Sequence, residues 1–332
     1  MRLLLACTCL TPISLLLPQA AALAETSVTT ARTSPIATAS ANNGAADSIK
    51  ITSTGSIKPT AGVAVTVNSN HNVTNEGIIQ TTDVSNSAGI VAQAGVVSTI
   101  TNKGTITIDE TYAPTDADKD GDIDGPLAQG QGRFGIRTLG AMTGSVINSG
   151  TITIEGNDSA AISLEGPLTG SLTSSGAISV LGNNALGVRA GAVTGNVALT
   201  GSIAAVGANA TGVALQGPVG GALTVQGSIT STGYRSTTAP ADVSKLDADD
   251  LLQGGPALSV AGSVAGGILF DAPPPNLKPD DKDEDKDGID DASEGTAAVT
   301  SFGAAPAVQI GSATGAVTIG AVAGTAAAGN GI

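Results

Sequence analysis

The sequence predicts an all-β chain wound as a parallel β-helix, a solenoid with about 25 residues and three short strands per coil. Three observations carry that expectation. The composition is unlike that of two globular domains: of 332 residues 45 are Gly, 2% are aromatic and none is Trp. Domains of that size commonly fill their centres with aromatic rings, whereas the apolar 41% here is almost all Ala, Val, Ile and Leu. The chain also repeats itself at a fixed period, the mark of a solenoid. Charge, finally, is gathered into three segments and is nearly absent between them. The same numbers exclude other classes. Long β-branched stretches and only 13% charged residues argue against disorder. Gly shows no period of three, so the chain is not collagenous. A net charge of −14 without a basic patch excludes a nucleic-acid role.

Residues 1–24 read as a secretory signal peptide. Arg2 supplies a positive start, Leu3 to Leu17 an apolar run, and Ala22-Leu23-Ala24 a small-residue cleavage site. Pro12 and Pro18 break the run, which is too short to cross a ~30 Å hydrocarbon layer. Both cysteines, Cys7 and Cys9, lie inside it, so the mature chain has neither a disulfide nor thiol chemistry. Residues 25–48 are rich in Ala, Ser, Thr and Asn and are expected to be loosely ordered. The β-helix is expected over 49–332, with insertions at 109–133, 233–254 and 271–296.

The repeat is clearest from Gly150 onward. The leading glycines Gly150, Gly176, Gly201 and Gly227 follow one another at 26, 25 and 26 residues. Within each unit short runs alternate apolar and small polar residues, as half-buried strands do. Ile152, Ile178, Ile203 and Ile229 align in the first run, and Ile162, Val188, Val213 and Leu258 in the second. Leu168, Val193, Val219 and Val264 align in the third, each followed two residues later by Gly. Three strands without a helical period are satisfied if each unit makes one turn and each strand pairs in parallel with its copy one coil away. Asn157, Asn183 and Asn184 fall at corners, where positive φ is often needed. Weaker units at 49–76 and 77–103 precede these. One coil is split between 104–108 and 135–148, another between 227–232 and 255–270. A last one spans 297–321, with Val308, Ile310, Val317 and Ile319 facing inward. Eight to ten coils give a rod of roughly 40–50 Å. The fixed leucine frame of leucine-rich repeats and the tandem motif of calcium-binding β-rolls are both missing. The sequence stops in mid-coil with no polar cap, so the chain is expected to be the N-terminal piece of a longer one.

Seven carboxylates fall in 109–124, four in 242–250 and ten in 271–294, of 28 in the chain. The third group contains Asp283, Asp285, Asp287, Gly288, Ile289, Asp291 and Glu294 at the spacing of a twelve-residue calcium loop. Hard Ca²⁺ takes six to eight oxygens. Acids at positions 1, 3, 5 and 9 converge on it, Gly at 6 allows the sharp turn, the Ile289 carbonyl serves at 7, and Glu294 is bidentate at 12. The loop resembles those of thrombospondin type 3 repeats more than helical EF-hands, since Pro273-Pro274-Pro275 precedes it. The first group has Asp116, Asp118, Asp120, Asp122 and Asp124 at a similar spacing, but Leu127 stands at position 12. The middle group lacks the pattern, and its acids are expected to be merely solvated.

Little else in the sequence carries chemistry. His71 is the only histidine and is expected at the surface. No nucleophile motif and no zinc spacing accompany it, so the chain is expected not to be an enzyme. Arg133, Arg137 and Arg189 are isolated on the coil faces. Arg137 and Arg189 are expected to stack near each other and to serve solubility.

The strand-and-corner units VINSGTITIEGN at 146–157 and TITNKGTITID at 99–109, with the leader and the acidic insertions, resemble the passenger region of bacterial autotransporters. The similarity covers most of 49–332. It implies a rod exported across the inner membrane and displayed at the cell surface or outer membrane, or released. Its partners would be a host surface, matrix or neighbouring cells. It also implies an outer-membrane β-barrel in a longer chain. The expected function is therefore a structural or adhesive stalk with calcium-binding insertions. Alternatives are a β-helix polysaccharide-degrading enzyme, or a filamentous adhesin exported without its own barrel.

Overall fold

The computed structural model describes residues 25–117, 119, 123–235, 242–273, 275–284, 291, 294–322 and 330–331. The leader at 1–24 lies outside the described residues. Three sheets, each with nine parallel strands, run the length of the coil array. The first runs from Glu25–Val28 to Ile268–Phe270, the second from Ala31–Arg32 to Ala298–Phe302, and the third from Ile36–Ala37 to Val308–Ile310. Each coil gives one strand to each sheet, so nine coils stack among the described residues. At ~4.8 Å per strand the stack is about 40 Å long. Asn330–Gly331 adds an antiparallel strand to the end of the first sheet.

The expected register holds. Ile152, Ile178, Ile203 and Ile229 are successive partners in the second sheet. Ile162, Val188, Val213 and Leu258 are successive partners in the third. Both columns are at most 2% exposed, and each such side chain contributes about 1.5–3 kcal/mol by leaving water. In the last coil Val308 and Ile310 stack on Leu258 and Val260. With no described coil above them they stay partly open, Ile310 at 39%.

Within the coils the structure departs from the expected strands in two places. Residues 25–48, expected to be loose, form the first coil. Glu25–Val28 pairs in full with Ser48–Ile51. Polar groups hold this coil: the buried Thr38 hydroxyl accepts hydrogen bonds from the Asn68 and Ser69 N–H groups and from the Ser69 hydroxyl. Such bonds leave no trace in hydropathy, so composition alone suggested a loose segment. The third run, expected as one strand, is two elements. Leu168, Val193, Val219 and Val264 form a narrow column of single bridges. A corner at Gly170, with φ +151°, then leads into the first-sheet strand Leu172–Ser174.

Two close approaches fix the small residues. The leading glycines stack so tightly that a Cβ on Gly176 would lie 1.9 Å from the Gly150 carbonyl oxygen, and one on Gly227 1.9 Å from that of Gly201. In the third sheet, strands such as Phe134–Thr138 carry two consecutive buried residues. The first of each pair is Gly or Ala, because a Cβ on Gly135 would sit 2.6 Å from Ile152 Cγ2 and one on Gly187 2.5 Å from Ile203 Cγ2.

Asparagines make two kinds of ladder. Inside, Asn75 Nδ2 donates to Asn102 Oδ1 at 2.7 Å, Asn102 Nδ2 to Asn148 Oδ1 at 2.8 Å, and Asn148 Nδ2 to Ser174 Oγ at 3.3 Å. All three asparagines are fully buried. At the corner between the second and third sheets, Asp158, Asn184 and Asn209 take positive φ, and their side chains join coil to coil.

Candidate functional site

The three insertions leave the coils at defined corners. The first follows Thr105–Asp109 and the second follows Ser228–Thr232, both on the way from the second sheet to the third. The third lies between Ile268–Phe270 and Ala298–Phe302, on the way from the first sheet to the second. The first two insertions therefore emerge along one edge of the rod, four coils apart.

The neck of the first insertion is a buried polar clasp. Glu110 Oε1 accepts the Gln129 N–H, and Oε2 accepts the Gly130 N–H and Arg133 Nη1. Arg133 also donates to the carbonyls of Val84 and Glu155. It is 2% exposed, so the expectation of an isolated arginine on a coil face is corrected. It lies under the neck because the insertion carries its carboxylate partner there. Burial pushes the nearby Glu155 carboxyl above its ordinary value, and the charges of Asp109 and Glu110 push the same way. Hydrogen bonds from the Thr111 N–H and hydroxyl hold the Asp83 carboxyl below its ordinary value.

The first and second insertions meet. Arg235 donates to the carbonyls of Ile123, Gly125 and Pro126 at 3.0–3.3 Å and pairs with Asp249 at 3.6 Å. The carboxylates of Asp124, Asp247 and Asp249 come within 4.8 Å of one another. Asp249 is pushed up, first by burial and then by Asp247, while hydrogen bonding from Asp249 holds Asp247 down. Of the middle acids Asp249 thus has a partner in Arg235, while Asp242 and Asp247 stay exposed. No sequence motif announces this meeting, which depends on two corners falling on one edge. The set is all oxygen, the donor chemistry that hard divalent cations accept.

Of the twelve-residue loop, Asp283, Asp291 and Glu294 are described, while Asp285, Asp287 and Ile289 lie outside the described residues. The Asp291 carboxylate turns back onto the start of the loop. It accepts the Glu284 N–H at 3.1 Å and Asn276 Nδ2 at 2.7 Å, and the Asp291 N–H donates to the Lys282 carbonyl at 2.7 Å. Position 9 is thereby brought beside position 2 and the residue just before position 1. In the first insertion Asp116 is exposed, Asp124 accepts the Ala117 N–H, and Asp118, Asp120 and Asp122 lie outside the described residues.

His71 sits in a shallow cavity of about 350 Å³ lined by Asn42, Ala46, Asp47, Ser48, Asn70 and Asn72. Its Nδ1 is 3.0 Å from Ser69 Oγ. Arg137 and Arg189 lie on the outer face of the third sheet, one strand either side of Ser163. No family model, no curated protein and no solved structure matches the chain.

Proposed function

We propose that the chain is a structural, adhesive rod of a bacterial surface or secreted protein, of the autotransporter passenger type, whose acidic insertions bind calcium. The observation that carries the reading is the division of labour along the molecule. Nine stacked coils have nearly uncharged walls, and the acidic charge stands on loops at their corners. A stack of that kind gives reach and stiffness. Loops at its corners can vary without disturbing it, and loops placed on a rigid scaffold commonly carry binding. The reading includes no catalysis.

Calcium fits the residues present. The third insertion offers Asp283, Asp285, Asp287, Asp291, Glu294 and the Ile289 carbonyl, an oxygen-only set at the required spacing. Asp291 already stands against the loop's first residues. Asp116, Asp118, Asp120, Asp122 and Asp124 form the incomplete second set. Bound there, the ion would neutralise crowded carboxylates. Extracellular modules bind with Kd of about 10⁻⁴–10⁻³ M. At millimolar calcium that stabilises by about 1 kcal/mol, local to the insertion.

Two experiments test the reading. Limited proteolysis near Asp280 is expected to slow in millimolar calcium, and Asp283→Ala or Glu294→Ala is expected to remove that protection while the coils persist in chelator. Protection unaffected by calcium would remove the ion from the proposal. Antibody labelling and protease shaving of intact cells making the native protein should find the rod outside the cell, and a rod retained inside would end the surface reading. The coding sequence beyond Ile332 separates an attached barrel from export without one.

A further inference from the structure

The first two insertions carry seven carboxylates in 109–124 and four in 242–250. They leave the rod four coils apart, ~20 Å along its axis. Loops of like charge repel, yet these two touch, so their meeting calls for positive charge between them. Among the described residues the ion pair that spans them is that of Arg235 with Asp249. Arg235 stands three residues past the strand Ser228–Thr232, on a fixed base. The Thr232 hydroxyl, on a residue only 3% exposed, donates to the Tyr234 carbonyl and accepts the Tyr234 N–H.

What the guanidinium meets is a cage of oxygens. Its Nη1 lies 3.3 Å from the Ile123 carbonyl oxygen, 3.2 Å from that of Gly125 and 3.6 Å from Asp249 Oδ2. Its Nη2 donates to the Pro126 carbonyl at 3.0 Å. The Asp249 carboxylate in turn comes within 4.8 Å of those of Asp124 and Asp247. Loop carbonyls and carboxylates gathered about one point are the surroundings in which loops hold cations. Here the cation is a side chain of the protein. The ion pair alone is weak, since both of its side chains are about a quarter exposed. The three carbonyls supply the rest, and a planar fork of donors reaches several of them at once where a lysine ammonium is a single point.

We propose that Arg235 is a built-in cation, filling the cation site between the first two insertions and holding them together without metal. The joint is then made when the chain folds and does not follow the calcium outside, and the third insertion, at another corner, is left to respond to the ion. The inference goes beyond the calcium reading above and does not rest on it. It concerns residues 246–252, for which that reading assigns no ion.

Hydrogen exchange of the whole chain, read by mass spectrometry, tests it, because exchange reports local opening. Amides in 246–252 of the parent are expected to exchange at the same rate in chelator and in millimolar calcium. Arg235→Ala is expected to speed them about tenfold in chelator, while the strands over 177–190 keep the parent's rate and show that the coils persist. Methylguanidinium added to Arg235→Ala is expected to slow the exchange again by entering the emptied cage. Tetramethylammonium at the same ionic strength has the charge without N–H donors and is expected to leave it fast. The proposal is overturned if calcium slows 246–252 in the parent, since a metal would then hold the joint. It is overturned if Arg235→Ala exchanges like the parent. It is also overturned if methylguanidinium restores no more than tetramethylammonium, since the arginine would then only pack or screen. None of these results touches the calcium protection expected near Asp280 or the cell-surface test.

Discussion

Glu110 and Arg133 form a buried ion pair across the neck of the first insertion: Oε2 and Nη1 are 2.8 Å apart, with side chains 5% and 2% exposed. The pair sits where the chain leaves the coil and returns to it, so it closes the insertion onto the stack. Taking two charges out of water is costly, and such a pair holds only because further hydrogen bonds satisfy both partners.

Removing one partner should therefore do more harm than removing both. Arg133→Met is expected to destabilise by about 3–5 kcal/mol, because it strands the Glu110 charge. Adding Glu110→Gln should recover much of that loss. Thermal melts with protease mapping of 109–133 read the difference. A single variant that melts like the parent would show that the clasp carries no stability.

Glu155 gives the neck a pH dependence. Its carboxyl titrates above the ordinary 4.5, chiefly through burial. Between the unfolded and the raised native value the folded chain holds more proton than the unfolded one, so stability falls as pH rises through that window. Glu155→Gln is expected to flatten this slope and raise stability at pH 7, with little effect below the window. Denaturant titrations across pH 4 to 7 check it, and an unchanged slope would assign the dependence to other groups.

The internal asparagine ladder should behave cooperatively. Asn102→Leu leaves amide groups of Asn75 and Asn148 unmet and is expected to cost about 1–3 kcal/mol. Replacing Asn75, Asn102 and Asn148 together by Leu should cost less than three times as much. Leu199 already fills the equivalent inward place two coils past Asn148. Strict additivity in denaturation would argue that the amides act singly.

The register can be tested one residue at a time. Ile178→Asp places a charge inside the stack and is expected to unfold several coils. Ser179→Asp, the next residue and exposed, should melt within a degree or two of the parent. Equal melting of the two variants would contradict the inward column.

Much of the fold was legible because a solenoid writes the same constraint many times. Ile152, Ile178, Ile203 and Ile229 could be aligned from spacing alone, and they are partners in the sheet. The first coil was not legible, since its two-residue strands and the Thr38 hydrogen bonds have no apolar period. Nor was the buried position of Arg133, whose partner lies on an insertion rather than on a coil. The approach of Asp124 to Asp247 and Asp249 was hidden because distance along the sequence conceals a shared edge.

The contact of Arg235 with the carbonyls of Ile123, Gly125 and Pro126 bears on how the rod comes apart. In an array whose units touch only their neighbours, an end can peel away one unit at a time. Here a strap joins the fourth coil to the eighth. The ninth can fray alone, but release of the eighth must also break the strap and bare the edge of the three coils beneath it. Assembly runs in the opposite sense. The strap closes only after residue 235 has been placed, when the intervening coils already hold its two ends close, so little loop entropy is left to lose. The five coils from the fourth to the eighth are thereby expected to come apart more nearly together than the rest of a molecule otherwise built to unzip.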